Sequence, residues 1–434
     1  MKKEALIGRE IIGQTFDTKK NKKLKLGSHI TIDFTRKEHT MIIAKSGSGK
    51  SYLAGVIAEE LIKTIDNYAV ILLDPMGIFS TLSIANNGPE VEAWNSEFPD
   101  VEPKGLDNFE VWIPAGDIEH FDKDMYDKAF SLSCKDLSFS TLCFAFDMDP
   151  LEPMVNLFRK AQTNIAKQNP NYGLYSLKEY IKEHGKDLDF KEQTIEALCT
   201  RLDALQELKL ITDYGSKFSE MVQRNKIVVF DLSMSSSYTA RIIVNFFAEH
   251  LLSRRKVITK KLLKAQQDET KIEIEDYIPP TQLLIDEAHN FLKGNPMLEK
   301  FVKEGRNVGC MLTAISQSPD LNRHVYANII HLFIGQLVFS DDIMVIRGML
   351  PFEEKADEFR SEVKNLDVGC FLYYNIDRKI KKKMKVRPRE TMHPASTELK
   401  DELNLIKSKQ DILEEIKKLE REKEQFKEKL KINS

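Results

Sequence analysis

Apolar residues in this chain come mostly in short unbroken runs, and most segments between those runs have helical spacing. An unbroken apolar run is typical of a parallel strand that is covered on both faces of its sheet. The sequence therefore predicts an α/β fold with a mostly parallel sheet. We predict its strands at residues 41–43, 68–74, 226–232, 282–286, 308–315 and 329–337.

The stretch between residues 122 and 222 carries its apolar residues at helical spacing. One helix is predicted at 154–168, a second begins at a capping box from Ser176 to Glu179, and a third covers 191–210. We therefore predict a helical subdomain that is inserted into the α/β core.

Later segments are more polar. A helix is predicted at 238–252, followed by a flexible connector at 258–279. A β-hairpin is predicted from the strands 369–375 and 383–389. The tail at 398–430 carries apolar residues seven apart, which fits either a single amphipathic helix or a coiled coil.

A loop rich in glycine and serine joins the first predicted strand to a helix. Such junctions bind phosphate, because free N–H groups at the helix start face the anion and glycines let the backbone wrap around it. The alternative is a loop that only caps the helix. The usual pattern starts with glycine where this chain has Ala44, so the loop entry is expected to differ. We predict nucleotide contacts, ATP with Mg²⁺, from Ser46, Gly47, Ser48, Gly49, Lys50, Ser51 and Tyr52, with Lys50 on the terminal phosphates and Ser51 on the metal.

Acidic side chains follow two of the predicted strands. Asp286 and Glu287 end the strand at 282–286, where Asp286 would bind Mg²⁺ and Glu287 would orient the attacking water. Asp74 ends an earlier strand and is either a second residue of the site or the cap of the following turn. His289 is predicted to be a structural neighbour of the acids.

Two further polar residues are candidates for catalysis. Gln317 follows the strand at 308–315 and would sense the γ-phosphate, or else cap a turn. Arg306 is predicted on a glycine-containing turn, where it would reach a neighbouring subunit's phosphate or form a surface ion pair.

Composition adds little to this picture. The chain has 434 residues, 64 Lys and Arg against 67 Asp and Glu, and five scattered cysteines. The balanced charge means that any basic surface is local, and the cysteines fit reduced thiols. Without a signal peptide or membrane span in the sequence, we predict a cytoplasmic protein with no membrane partner.

Two lysine-rich segments, 254–264 and 378–383, are either solvated surfaces or contacts to DNA phosphates.

Four motifs together resemble the HerA branch of the HerA/FtsK ATPases. They are the loop Lys45-Ser46-Gly47-Ser48-Gly49-Lys50-Ser51 preceded by His39, the segment Leu284 to Phe291, the segment Glu304 to Gly309 and the segment Ile315 to Pro319. The ending Val386 to His393 is similar to the C-terminal strand of that family.

The resemblance implies a RecA-like P-loop core and a hexameric ring that threads or opens DNA, often with a nuclease. It also implies Lys50 and Ser51 as phosphate and Mg²⁺ ligands, Asp286 and Glu287 as metal and water residues, Gln317 as sensor and Arg306 as an arginine finger in trans.

The expected parts of the chain follow from these elements. Residues 1–38 form an N-terminal β segment, a reduced barrel or platform that is short for the family. The RecA-like core covers 39–121 and 223–395, the helical insertion 122–222, and a charged helix or tail 396–434.

The predicted function is that of an ATP-driven hexameric DNA translocase or helicase. We expect a partner nuclease or effector, in DNA end processing or antiphage defence. The alternatives are a nucleotide-gated scaffold or switch without translocation, and a motor for DNA packaging or conjugation.

Overall fold

The computed structural model describes residues 4–16, 22–320, 323–350 and 353–394 of the chain, so the predicted tail at 398–430 lies outside the described residues. The strands are β1 (Ala5–Phe16), β2 (Lys22–Ile32), β3 (His39–Ile43), β4 (Ala69–Asp74), β5 (Phe109–Pro114), β6 (Lys128–Phe130), β7 (Leu132–Ser133), β8 (Ile211–Thr212), β9 (Lys226–Asp231), β10 (Thr281–Ile285), β11 (Cys310–Ser316), β12 (Ile329–Ile334), β13 (Cys370–Asn375) and β14 (Ile380–Val386).

The helices lie between these strands. They are α1 (Lys50–Thr64), α2 (Pro89–Asn95), α3 (Phe139–Ala145), α4 (Pro153–Gln168), α5 (Leu174–His184), α6 (Glu192–Glu207), α7 (Phe218–Met221), α8 (Ser237–Gln267), α9 (His289–Leu292), α10 (Pro296–Val308), α11 (Arg323–Tyr326), α12 (Ser340–Arg347) and α13 (Ala356–Lys364). No helix in the described part of the chain combines the length and the apolar character needed to cross a membrane.

Among the described residues, one large sheet has the strand order β2-β1-β14-β13-β12-β3-β11-β10-β4-β9-β5-β6. From β12 to β6 every neighbouring pair of strands is parallel. The central strands β3, β4, β10 and β11 are buried along their whole length. The predicted α/β fold with a mostly parallel sheet is therefore confirmed.

Alternate side chains of the central strands enter two different cores. On one face, Val70 and Leu284 pack in the cluster that includes the apolar residues of α1. On the other face, Ile71 and Leu283 pack in the cluster that includes α8, α10 and the helices between residues 139 and 207. Both faces are thus covered, which explains the unbroken apolar runs in the sequence.

The antiparallel edge of the sheet combines the two ends of the described chain. β1 pairs with both β2 and β14, and β14 pairs with β13. Acidic groups from other segments hold two lysines of β14: Lys382 Nζ lies 2.7 Å from a carboxylate oxygen of Glu10, and Lys381 Nζ lies 3.0 Å from both Glu354 and Glu362. The N-terminal hairpin therefore extends the central sheet, and the predicted division into domains stays a prediction.

Two local predictions were wrong. Helix α8 continues to Gln267, so the first half of the predicted connector at 258–279 is helical, with Ile258 and Ala265 buried on one side. Helix α5 begins at Leu174, so Ser176 lies inside the helix and does not cap it.

A buried group of charges attaches the segment after β14 to helix α1. Glu59 on α1 is fully buried and lies 3.0 Å from Arg387 Nη2, and its other oxygen accepts hydrogen bonds from the N–H and the hydroxyl of Thr391. Burial alone would raise the pKa of Glu59, but Arg387 and Arg389 outweigh burial and keep that pKa below its usual value. Gly55 leaves the space on α1 that the Arg389 side chain occupies.

Replacing Glu59 by Gln is expected to lower the free energy of unfolding by about 3–5 kcal/mol, because two buried guanidinium groups lose their shared carboxylate. Urea denaturation followed by circular dichroism measures this change. The matched control is Glu358→Gln, because Glu358 pairs with Lys355 at 3.0 Å on the exposed face of α13. That change is expected to cost less than about 1 kcal/mol. Equal effects of the two substitutions would contradict a structural role for the buried charges.

Candidate functional site

The phosphate loop lies between β3 and α1 as predicted from the sequence. Gly47 and Gly49 have φ angles of 73° and 92°, a region that L side chains rarely adopt. A Cβ at Gly47 would meet no atom within 4 Å, so the loop is open on that side. The hydroxyl oxygen of Ser48 is buried without a hydrogen-bond partner. These features leave room and polar atoms for an anion.

Ala44 replaces the first glycine of the usual pattern without backbone strain. It is fully buried, it is not among the residues with positive φ, and its N–H donates to the carbonyl of Ser316 at 3.2 Å. A Cβ on Gly335 would lie only 2.6 Å from the Cβ of Ala44. The neighbouring segment therefore has a glycine where the methyl group of Ala44 needs space.

Lys50 is the first residue of α1 and is almost fully buried. Its ammonium group donates to the carbonyl of Lys45 at 3.1 Å, inside the same loop. Burial lowers its pKa, while Glu287 and Asp286 nearby raise it. A phosphate group could replace the carbonyl as the partner of this ammonium group.

Asp286 and Glu287 follow β10 and lie against the start of α1. The hydroxyl of Ser51 donates to Asp286 Oδ2 at 3.3 Å. Burial raises the pKa of Asp286 to about 6, and the charge of Glu287 adds to this shift. The Ser51 hydroxyl and the Asp286 carboxylate are hard oxygen donors, the type that Mg²⁺ prefers.

Gln317 lies beside Glu287, while its role as a sensor of the γ-phosphate stays a prediction. Its amide Nε2 donates to Glu287 Oε1 at 2.6 Å. The other oxygen, Oε2, is buried without a hydrogen-bond partner and lies 3.4 Å from Nδ1 of His289. Glu287 itself has a φ of 48°. One carboxylate oxygen is thus fixed by an amide and the other is left for a further polar group.

Within the described residues, no three His, Cys, Asp or Glu side chains are grouped to hold a metal ion by themselves. This fits Mg²⁺, which usually takes only one or two protein ligands and completes its shell with phosphate oxygens and water. Ser51 and Asp286 would be those ligands, and the ion would neutralise charge on a bound triphosphate.

Arg306 lies far from these residues in the same chain. It is in the last turn of α10, so the predicted glycine-containing turn was wrong. Its Nε donates to the carbonyl of Lys37 at 3.1 Å. Lys37 precedes β3, whereas the phosphate loop follows β3, so the extended strand His39–Ile43, about 16 Å long, lies between them. Arg306 therefore lies at the edge of the sheet formed by the amino ends of the parallel strands, and the phosphate loop lies at the opposite edge.

The hydroxyl of Tyr52 contacts the segment that follows β14. Its hydroxyl accepts a hydrogen bond from the N–H of Arg389 at 2.8 Å, and burial raises its pKa to about 12. A direct contact of this side chain with a nucleotide stays a prediction.

Asp74 caps the turn after β4. Its two oxygens accept hydrogen bonds from the N–H groups of Met76 and Phe79, at 3.1 and 2.8 Å. Burial raises its pKa to about 8, and the charges of Asp231 and Asp286 add to the shift. Of the two roles left open by the sequence, this geometry supplies the cap.

Sequence reasoning missed one segment of the site. The turn before β13 lies on the phosphate loop, because Gly369 donates its N–H to the carbonyl of Ser48 at 3.0 Å. Gly369 has a φ of 71°, and a Cβ on Gly49 would lie 3.4 Å from its Cα. Only the glycine itself signals this contact in the sequence.

The fold and the phosphate loop define a P-loop protein with a RecA-like core. The chain belongs to the family described as "Helicase HerA, central domain", whose model matches residues 17–251. The resemblance predicted from the motifs is thereby confirmed.

Two solved structures of the plasmid coupling protein TrwB share this fold at low sequence identity. The plasmid coupling protein TrwB, in complex with ADP and Mg²⁺, is 13% identical with a TM-score of 0.55, over 84% of this chain and 88% of that chain. TrwBdeltaN70 with sulphate is 12% identical with a TM-score of 0.52, over 82% and 89%. VirB4 of Thermoanaerobacter pseudethanolicus is 14% identical with a TM-score of 0.48, over 87% and 96%. A comparison with curated proteins finds no match.

The raised pKa of Asp286 predicts pH-dependent binding of Mg²⁺-nucleotide. A carboxyl group with a pKa of about 6 is ionised at neutral pH and mostly neutral at pH 5, where it no longer attracts the cation. Affinity for Mg²⁺–ADP is expected to fall about tenfold between about pH 7 and pH 5. Titration with a fluorescent nucleotide measures this fall.

Asp286→Asn is the matched control for that titration. This variant is expected to bind Mg²⁺–ADP weakly from pH 7 to pH 5 and to lack the fall in affinity that comes from Asp286. Protonation of the nucleotide itself lowers the affinity equally in both proteins, so the difference between them reports on Asp286. If wild type and Asp286→Asn lost affinity in parallel, Asp286 would not be the titrating ligand.

Proposed function

We propose that this protein is an ATPase that works as a ring of identical subunits on DNA, with each nucleotide bound between two subunits. One observation carries the proposal: Lys50, Asp286 and Glu287 lie together at one edge of the sheet, while Arg306 lies at the opposite edge. A catalytic arginine in that position completes a nucleotide site only in a neighbouring subunit. A ring of subunits repeats this contact at every interface.

The nucleotide chemistry follows from the residues of one subunit. Lys50 and the N–H groups of the phosphate loop would bind the phosphates, and Ser51 and Asp286 would hold Mg²⁺. Glu287 would orient the attacking water through its free oxygen, and Gln317 would sense the γ-phosphate while bonded to the same carboxylate. TrwB, which was solved with ADP and Mg²⁺, supports a nucleotide with Mg²⁺ as the bound group.

The finer parts of the proposal come from the family. The family description names a helicase, and the resemblance of the motifs leads us to propose a hexameric DNA translocase or helicase that works with a nuclease or effector. DNA stimulation of ATP hydrolysis distinguishes this motor from a nucleotide-gated switch, which would hydrolyse ATP at the same rate with or without DNA.

The contacts of the basic segments favour one of them as the DNA-binding surface. Lys381 and Lys382 in the β13–β14 hairpin are already held by carboxylates, and Lys256 on α8 pairs with Glu304. By contrast, the last turns of α8 carry three exposed lysines. We therefore propose that DNA contacts Lys260, Lys261 and Lys264.

Mixing two inactive variants tests the arginine in trans. Lys50→Ala is expected to lose nucleotide binding, and Arg306→Ala is expected to bind nucleotide but hydrolyse it about 10³-fold more slowly or worse. In co-expressed mixtures, the intact nucleotide site of Arg306→Ala meets the intact arginine of Lys50→Ala at some interfaces. ATPase activity is expected to recover to about a quarter of wild type.

Lys303→Ala is the control, because Lys303 lies on the exposed side of α10 one turn before Arg306. It is expected to hydrolyse ATP like wild type. A mixture of Lys50→Ala and Arg306→Ala without recovered activity would contradict action in trans.

Replacing Lys260, Lys261 and Lys264 by Ala is expected to weaken DNA binding and to reduce its salt dependence. The slope of the logarithm of the DNA-binding constant against the logarithm of the salt concentration should fall in magnitude by about one unit for each phosphate group that the protein no longer neutralises. Fluorescence anisotropy with labelled DNA at several salt concentrations measures both quantities. The control replaces Lys381 and Lys382, whose ammonium groups are neutralised within the chain. If replacing Lys381 and Lys382 weakened DNA binding more than replacing the three lysines of α8, the β13–β14 hairpin would be the DNA-binding surface instead.

A further inference from the structure

His39, the first residue of β3, connects two other elements through its ring. It is fully buried, Nδ1 lies 2.9 Å from the backbone N of Leu312 on β11, and Nε2 lies 2.9 Å from the carbonyl oxygen of Val302 on α10. Because a backbone N–H can only donate, Nδ1 must be the acceptor. The neutral ring therefore carries its proton on Nε2 and donates it to Val302.

The carbonyl that His39 binds belongs to the turn of α10 that carries Arg306. In an α-helix the carbonyl of residue 302 accepts the N–H of residue 306. The carbonyl of Val302 thus accepts hydrogen bonds both from the His39 ring and from the backbone N–H of Arg306. The side chain of Arg306 is held by the carbonyl of Lys37, two residues before His39. The amino end of β3 therefore fixes both the backbone and the side chain of this arginine.

The amino end of β3 is itself held in place. Glu38, between Lys37 and His39, accepts a hydrogen bond in a buried pair with His331, whose Nε2 lies 2.8 Å from Glu38 Oε2. The other ring nitrogen of His331 lies 2.9 Å from the hydroxyl of Tyr373. Consequently the segment that holds α10, the amino end of β3, is fixed by buried hydrogen bonds to His331 and Tyr373.

We propose that His39 is a positioning residue for Arg306: its hydrogen bond to Val302 fixes the turn of α10 that presents the arginine to the neighbouring subunit's nucleotide. This inference rests on the proposed function, because it requires Arg306 to act in trans. It predicts that loss of the bond impairs a subunit as donor of the arginine and leaves its own nucleotide site intact.

Two substitutions separate the two hydrogen bonds of His39. His39→Asn places an oxygen near the position of Nδ1, so it keeps the bond from Leu312 and loses the bond to Val302. His39→Gln places an amide N–H₂ near the position of Nε2, so it keeps the bond to Val302. We expect kcat to fall about 10- to 100-fold in His39→Asn and less than about threefold in His39→Gln, with nucleotide affinity unchanged in both.

Mixing experiments then locate the defect of His39→Asn. Co-expressed with Lys50→Ala, which supplies a normal arginine, it is expected to recover about as much ATPase activity as Arg306→Ala does with the same partner. Co-expressed with Arg306→Ala, it is expected to show no more than the residual activity of His39→Asn itself, because both subunits then have an intact nucleotide site and a defective arginine. A subunit with damage at its own phosphate loop would show the opposite pattern.

The outcomes distinguish this inference from the proposed function. If Lys50→Ala and Arg306→Ala fail to complement each other, the arginine in trans is wrong and His39 has no such role. If they complement, three results each overturn the role of His39: nucleotide binding lost in His39→Asn, recovery with Arg306→Ala, or no recovery with Lys50→Ala. A kcat for His39→Gln as low as that of His39→Asn would also overturn it.

Discussion

The proposed mechanism depends on the direction of a five-residue strand. β3 runs from His39 to Ile43, and the phosphate loop follows its carboxyl end while its amino end holds Arg306 through Lys37. An extended strand cannot bring its two ends together, so the groups at those ends cannot meet at one nucleotide within one subunit. This constraint makes a neighbouring subunit part of the proposed site, and it relates each nucleotide to the packing of α10 in the next subunit.

The remaining structure keeps the phosphate-loop helix at a fixed place on the sheet. α1 is covered on one side by β1 and is bound by the segment after β14 through Glu59, Arg387 and Arg389. Burial of these charges is costly, and only the shared hydrogen bonds offset that cost. Such a cluster is a poor source of net stability, but it accepts few alternative arrangements. It therefore attaches the segment after β14 to the helix whose first residue is Lys50.

The core and half of the site could be predicted from the sequence because their causes are local. A strand covered on both faces needs an unbroken apolar run, and a phosphate loop needs its glycines and lysine in order. Other features depend on distant partners. β14 contains Lys381 and Lys382, for which the sequence left both a solvated surface and a DNA contact open, whereas in the fold they pair with Glu354 and Glu10. Gly305 suggested a turn, yet it lies within α10, where a Cβ would collide with the carbonyl of Cys310.

In the proposed nucleotide site, burial disfavours the charged forms of Asp286 and Lys50, and a bound ligand would stabilise those charges. Burial raises the pKa of Asp286 and lowers that of Lys50, so each charged form is disfavoured before binding. A triphosphate with Mg²⁺ gives both groups an opposite charge and would reverse both shifts. Glu287 differs, since Gln317 holds one of its oxygens and its backbone has a positive φ that costs about 1–2 kcal/mol. Its second oxygen is buried without a hydrogen-bond partner, 3.4 Å from Nδ1 of His289, and in the proposed mechanism it would orient the attacking water.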